Sequence, residues 1–185
     1  MRLDHIAYRV KNRHVTAKFF CEAFGYHVQQ EFTIDFGEGQ YAQCIALEPP
    51  EKKVNGVPWV VSEIHHHHDK ESTIEMLQEY HLPPEIFVSD GTPGSIVDDW
   101  VKARGGICGI HHIAYQVDNV EETMKRWREE GYAEFSSDPI KCPGLTQVFT
   151  KPSQLTGVIY EFIKREEFGF CKENVKQLME STKGL

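Results

Sequence analysis

The sequence predicts an α+β fold made of two tandem βαβββ modules, and three observations carry that expectation. A seven-residue segment occurs twice: Asp4-His5-Ile6-Ala7-Tyr8-Arg9-Val10 returns as His111-His112-Ile113-Ala114-Tyr115-Gln116-Val117, with five identities in register. Each copy alternates apolar and polar residues as a half-buried strand does, and each leads into an amphipathic helical stretch followed by strand-like runs. The chain, 185 residues of which 40% are hydrophobic, is long enough to bury a core without disulfide support.

In the first module, residues 1–90, the repeated strand leads to Val15, Phe19, Phe20 and Phe24 at helical spacing, ended by Gly25. Strand-like runs follow at His27 to Ile34 and, after the Gly37-Glu38-Gly39 turn, at Tyr41 to Leu47, with a last strand at Glu85-Ile86-Phe87-Val88. From His5 to Glu85 is 80 residues, against 49 from His112 to Glu161, so an excess of 31 residues falls at about 50–82. This insertion holds Val57-Pro58-Trp59-Val60-Val61, the consecutive His65 to His68 and a helical patch from Ile74 to Tyr80. Residues 91–109 join the modules through a helix around Ile96 to Arg104. The second module, 110–165, places Asp118 or Asn119 as an N-cap before Val120, Met124 and Trp127, with Gly131 as the stop. Its strands are expected at Glu134-Phe135, Leu145 to Thr150 and Val158 to Ile163, and residues 166–185 form a C-terminal helix. Phe19, Phe20, Phe24, Trp100, Trp127 and Phe149 are expected in the core.

Composition excludes several partners. With 20 basic against 28 acidic residues the net charge is −8, and without a basic stripe nucleic acid is not the expected ligand. No apolar run approaches the roughly 20 residues of a bilayer span, and no apolar signal core follows Met1. Five cysteines, the closest pair 23 residues apart, form no disulfide or metal motif, so they read as reduced thiols of a cytoplasmic protein.

The chemistry sits on the repeat. Duplication places His5 and His112 at equivalent positions on two strands that twofold-related modules bring face to face, with a metal cleft between the sheets. Glu161 lies in the otherwise apolar run Gly157 to Ile163, where a carboxylate is costly to bury unless a cation meets it. Two imidazoles and one carboxylate form the facial triad of mononuclear Fe(II) enzymes, so a divalent metal with Fe(II) favoured is expected, and Zn, Mn, Co or Ni are the other choices. Glu85 is the candidate fourth ligand and catalytic carboxylate by symmetry with Glu161, with Glu63 its rival. His111 is set apart because strand neighbours face opposite sides. The His65 to His68 tract reads as an exposed loop with adventitious metal affinity.

The paired His-Ile-Ala strands, the duplicated βαβββ unit and the terminal-strand Glu resemble the vicinal oxygen chelate superfamily of glyoxalases, extradiol dioxygenases, methylmalonyl-CoA epimerases and 4-hydroxyphenylpyruvate dioxygenases. The resemblance implies that His5, His112 and Glu161 bind the metal, and homodimers are common in the family. The stretch from Gly91 to Ile113 looks like the linker of the epimerases. Leu145-Thr146-Gln147-Val148-Phe149-Thr150-Lys151-Pro152, Tyr160 to Arg165, and Gly169-Phe170 with Asn174 resemble the catalytic half of the 4-hydroxyphenylpyruvate dioxygenases. That second likeness implies that Gln147 lies beside the metal ligands or the substrate, and that Phe170 with the helix Lys172 to Ser181 closes the site. Where those dioxygenases carry Gln before the second-module histidine, this chain has His111.

Ligand number separates the reactions. Three protein ligands leave three of six positions, enough for a bidentate 2-oxo acid and dioxygen, as in a dioxygenase. Four leave two, which suits an isomerase that holds an enolate on a Lewis acid beside a carboxylate base. The expected partner is a small oxo acid or acyl substrate, and a non-catalytic binding protein of the same fold is the further alternative.

Overall fold

The computed structural model describes residues 2–49, 84–166 and 169–185. The strands are β1 (Arg2–Arg9), β2 (His27–Asp35), β3 (Tyr41–Glu48), β4 (Glu85–Gly91), β5 (Gly109–Gln116), β6 (Ile140–Cys142), β7 (Leu145–Phe149) and β8 (Ile159–Arg165). The helices are α1 (Arg13–Phe24), α2 (Ile96–Ala103), α3 (Val120–Glu129) and α4 (Lys172–Ser181). The eight strands make one mixed sheet in the order β2-β3-β4-β1-β5-β8-β7-β6. Each half pairs its first and last strands in parallel, β1 with β4 and β5 with β8, and antiparallel pairing of β1 with β5 joins the halves about a pseudo-twofold. The βαβββ duplication read from the repeat is therefore the architecture of the molecule. The Glu63 candidate, the His65 to His68 tract and the rest of the 50–82 insertion lie outside the described residues.

Local chemistry starts and stops the helices where the chain needs them. Asn12 caps α1 by accepting from the Val15 N–H at 3.1 Å, and Gly25 ends it at φ 74°, a left-handed conformation that costs glycine little. Asn119, rather than Asp118, caps α3 through the Glu122 N–H at 3.1 Å. On the outer face of the sheet, α1 covers Val10, Ile45, Leu47, Ile86 and Val88, while α3 covers Val148 and Phe162. On the inner face, Ala7, Phe32, Ala42, Cys44, Ala46 and Phe87 meet Val97 of α2 and Val175 and Met179 of α4. Among the described residues no helix is long and apolar enough to cross a membrane.

Two sequence expectations are corrected. Phe19 and Phe24 are 54% and 56% exposed, because α1 turns Ala17 and Phe20 toward the sheet and these rings form a second, outward stripe. The strand expected at Glu134-Phe135 reduces to a single bridge between Phe135 and Thr150. The edge strand is β6 instead, a three-residue segment that the Pro143-Gly144 turn folds back onto β7, with Gly144 at φ 70°. Three residues are too few for an alternating pattern to show.

Candidate metal centre

Bulges in the two central strands build the site. Leu3 pairs with Tyr115 but Ile6 pairs with Ile113, so β1 carries one extra residue at Asp4-His5. Ala7 pairs with His112 and Tyr8 with Ile110, so β5 carries its extra residue at His111. A bulge breaks the alternation of a strand and re-aims side chains. His5 is buried and Asp4 beside it half-buried as a result, and their symmetry mates His111 and His112 are both buried. The expectation that His111 faces away from His112 fails for this reason.

His5, His112 and Glu161 offer donor atoms that converge on one point. The Nε2 atoms of His5 and His112 are 3.1 Å apart, and Glu161 Oε2 lies 3.2 Å from the first and 3.1 Å from the second. Each imidazole spends its other nitrogen elsewhere: His5 Nδ1 donates to Asp4 Oδ1 at 2.7 Å, and His112 Nδ1 shares a proton with His111 Nδ1 at 2.8 Å. Three lone pairs then face one another in a dry site, an arrangement that asks for a cation. Donors about 2.1 Å from a central ion stand about 3.0 Å apart on an octahedral face and about 3.4 Å apart on a tetrahedral one. The observed edges of 3.1–3.2 Å lie between the two, so the three side chains suit a single divalent metal.

Without a metal, the cation is a proton. Burial opposes charge on His5, yet Glu161 and Asp4 outweigh it and raise its pKa to about 9. Burial dominates at His112, whose Nδ1 partner is a neutral ring instead of a carboxylate, and its pKa falls to about 4. Burial also works against ionised Glu161, but the two histidines hold its carboxyl well below the usual range.

The surrounding groups hold these donors still. Arg165 grips Asp4 through Nε at 3.0 Å and Nη2 at 2.9 Å. Gln147 Nε2 donates to Glu161 Oε1 at 2.6 Å, and Asn174 Nδ2 of α4 donates to Gln147 Oε1 at 3.1 Å. Second partners of this kind fix the orientation and basicity of metal-binding side chains. Phe170 stands edge-on to His5 with ring centroids 5.1 Å apart, and Phe149 lies 4.6 Å from His112. Asp4 is a neighbour of the donors that single-residue reasoning misses, while Asn174, quoted in the resemblance, reaches the cluster through Gln147. The signal for Asp4 was that it precedes His5 as His111 precedes His112.

Glu85 does not join the cluster. Strand register pairs Ala114 with Glu161 and, at the equivalent place in the first half, Ala7 with Phe87. Phe87, not Glu85, is thus the symmetry mate of Glu161. Glu85 pairs with Arg165 at 3.5 Å, and burial raises its pKa more than that guanidinium lowers it.

Comparison with known proteins follows the geometry. The family model described as Glyoxalase/Bleomycin resistance protein/Dioxygenase superfamily matches residues 4–146. No curated protein matches in sequence. Among solved structures, a methylmalonyl-CoA epimerase aligns over 90% of this chain and 97% of its own, with a TM-score of 0.61 and 21% identity. A 4-hydroxymandelate synthase variant from Streptomyces coelicolor aligns over 98% of this chain at a TM-score of 0.69 and 18% identity, and the chain spans 53% of that protein's length. The methylmalonyl-CoA epimerase of Mycobacterium tuberculosis aligns over 90% of this chain and 89% of its own, with a TM-score of 0.59 and 16% identity. At such identities the likeness shows a shared fold. A family match over most of the sequence, on a duplicated βαβββ sheet, shows that the chain belongs to the glyoxalase/bleomycin resistance protein/dioxygenase superfamily.

Proposed function

We propose that this protein is a metal-dependent, dioxygenase-like enzyme acting on a small 2-oxo acid, with Fe(II) the favoured ion held by His5, His112 and Glu161. One observation carries the reading: the first half offers Phe87 where the second half offers Glu161, so among the described residues three protein donors converge, a set that would leave three of six positions of a bound ion free. Held there, Fe(II) supplies Lewis acidity to a chelating oxo acid and the electrons that activate dioxygen.

The chain's own residues do the rest. Asp4 and His111 keep both imidazoles turned with Nε2 inward, and Gln147 occupies Glu161 Oε1 so that Oε2 alone faces the ion. Phe87, Phe149 and Phe170 exclude water. The cavity beside the donors has about 30 Å³ of free space, room for about two waters. Phe170 and α4 wall this cavity and serve in this reading as its lid, with Asn174 coupling the lid to Gln147. An enolate-forming isomerase wants a fourth carboxylate in the cleft, and Glu85 is engaged by Arg165 instead. Free cysteines at 21, 44, 108, 142 and 171 fit a cytoplasmic setting.

The test is anaerobic addition of Fe(II) and a 2-oxo acid to protein purified without a histidine-affinity step. A visible charge-transfer band followed by oxygen uptake on admitting air is expected. Loss of one equivalent of bound iron in His112→Ala ties the signal to this site rather than to the His65 to His68 tract. Absence of both band and uptake overturns the reading.

A further inference from the structure

Alternation from His5 brings Ala7 and then Arg9 to the inner face of β1, and Arg9 is 2% exposed. The side chain lines the same cavity as the three donors. A guanidinium carries five N–H donors and cannot shed its charge by ordinary means. Among the described residues, its one hydrogen bond runs to the neutral Thr182 Oγ1, at 3.4 Å, and no carboxylate pairs with it. Burial pulls its pKa down to about 9, so it is still charged at neutral pH. A buried cation without an anion is costly to a fold and is kept where a ligand supplies the anion.

A second, independent group points into the same end of the cavity. His111 is 5% exposed, lines the cavity, and its Nε2 has no hydrogen-bond partner among the described residues. If His112 Nε2 keeps its lone pair for a metal, its Nδ1 carries the proton and donates to His111 Nδ1, which leaves His111 Nε2–H as a buried donor. Trp100 of α2 places the two together, with its ring 5.8 Å from Arg9 Cζ and 5.7 Å from the His111 ring.

We infer that Arg9 and His111, held beside Trp100, form an anion subsite in this cavity, so that the oxo acid bound by this protein carries a second carboxylate. The inference rests on the chelating reading proposed above and adds the substrate class to it. A guanidinium's planar fork takes a carboxylate in a bidentate pair, and its single charge balances the single charge of one carboxylate. His5 and Arg9 are four residues apart, about 13 Å of strand, with both side chains reaching into the space between. The second acid group is thus a short carbon chain away from the chelating end, which selects a 2-oxo diacid over a long acyl conjugate.

The experiment titrates the intact, Co(II)-loaded protein with 2-oxo diacids of about five to seven carbons and with the monoacids of equal length, reading affinity by calorimetry and by the Co(II) spectrum. At least one diacid should bind tenfold or more tightly than its monoacid. Arg9→Gln should cancel that ratio, and Arg9→Lys should keep part of it. Monoacid binding without any diacid preference in the wild type overturns the subsite alone, and this comparison stands even if the variants fail to fold. A preference that survives in Arg9→Gln removes the assignment to Arg9. Binding of neither acid overturns the chelating reading and the subsite with it.

Discussion

Asp4 offers the sharpest test of how the site is held. Its Oδ1 accepts from His5 Nδ1 at 2.7 Å, and its carboxylate takes two bonds from Arg165 near 3 Å, with both side chains about a tenth exposed. Asp4→Asn keeps an acceptor for His5 and removes the charge. Loss of such an outer partner costs about 10- to 100-fold in metal affinity, or about 1.4–2.7 kcal/mol, and the retained acceptor puts Asn near tenfold. The same change strands Arg165, and removing one partner of a buried pair costs about 3–5 kcal/mol. Glu85 remains 3.5 Å from Arg165 and relieves part of this, so about 3 kcal/mol is expected, lowering the Tm of a chain this size by about 6–12 °C. Adding Arg165→Met to Asp4→Asn should restore much of the Tm but none of the metal affinity, because stability follows the stranded charge and affinity follows His5. Metal affinity is read by competition against a chromogenic chelator, with His112→Ala as the background. Unchanged affinity in Asp4→Asn would show that His5 does not bind through the nitrogen opposite Asp4.

Three further outcomes rest on the same geometry. Phe87→Glu installs the carboxylate that the pseudo-twofold lacks. It should raise Mn(II) or Co(II) affinity and cut Fe(II)-dependent oxygen uptake at least about tenfold by filling an open position; uptake at the wild-type rate would refute the ligand count. Metal binding at pH 7.5 should release about one proton, since His5 is protonated up to about 9 in the metal-free chain while Glu161 and His112 hold none. The sign for stability is set likewise: the contribution of His5 to the metal-free fold is complete below its ordinary 6.5 and disappears as pH rises through about 9. Denaturant titrations across that window, and a weakly buffered indicator for the proton, check both.

Much of this was legible in the chain, and the misses have physical causes. A doubled strand with His5 and His112 in register, and a carboxylate in the apolar setting of Glu161, are local patterns and survive into the fold. Arg9 was also within reach, since alternation from His5 puts residues 7 and 9 on one face. Glu85 was matched to Glu161 by symmetry, but a long insertion hides strand register, and a two-residue slip in pairing puts Phe87 at the equivalent place. His111 failed because a bulge is a property of two strands together, invisible in either alone.

Why the pseudo-twofold is broken at one position explains the direction of the cleft. An exact doubling would give two histidines and two carboxylates around one point, a closed cradle with little room for chemistry. In this chain the first half spends its position on Phe87, which packs 4.8 Å from Phe170 and 6.0 Å from Phe32 and so forms the floor on which the lid rests. The second half keeps Glu161 and ties it through Gln147 to Asn174 of that same helix. Helix α4 is therefore seated on apolar contacts to both halves, Val175 and Met179 against the first and Leu178 against Phe149 and Ile159 of the second, with the polar chain to Glu161 added on the second side. On the reading proposed above, displacing the helix would also loosen Glu161 through Asn174 and Gln147, so opening of the cleft would be tied to the placement of that donor.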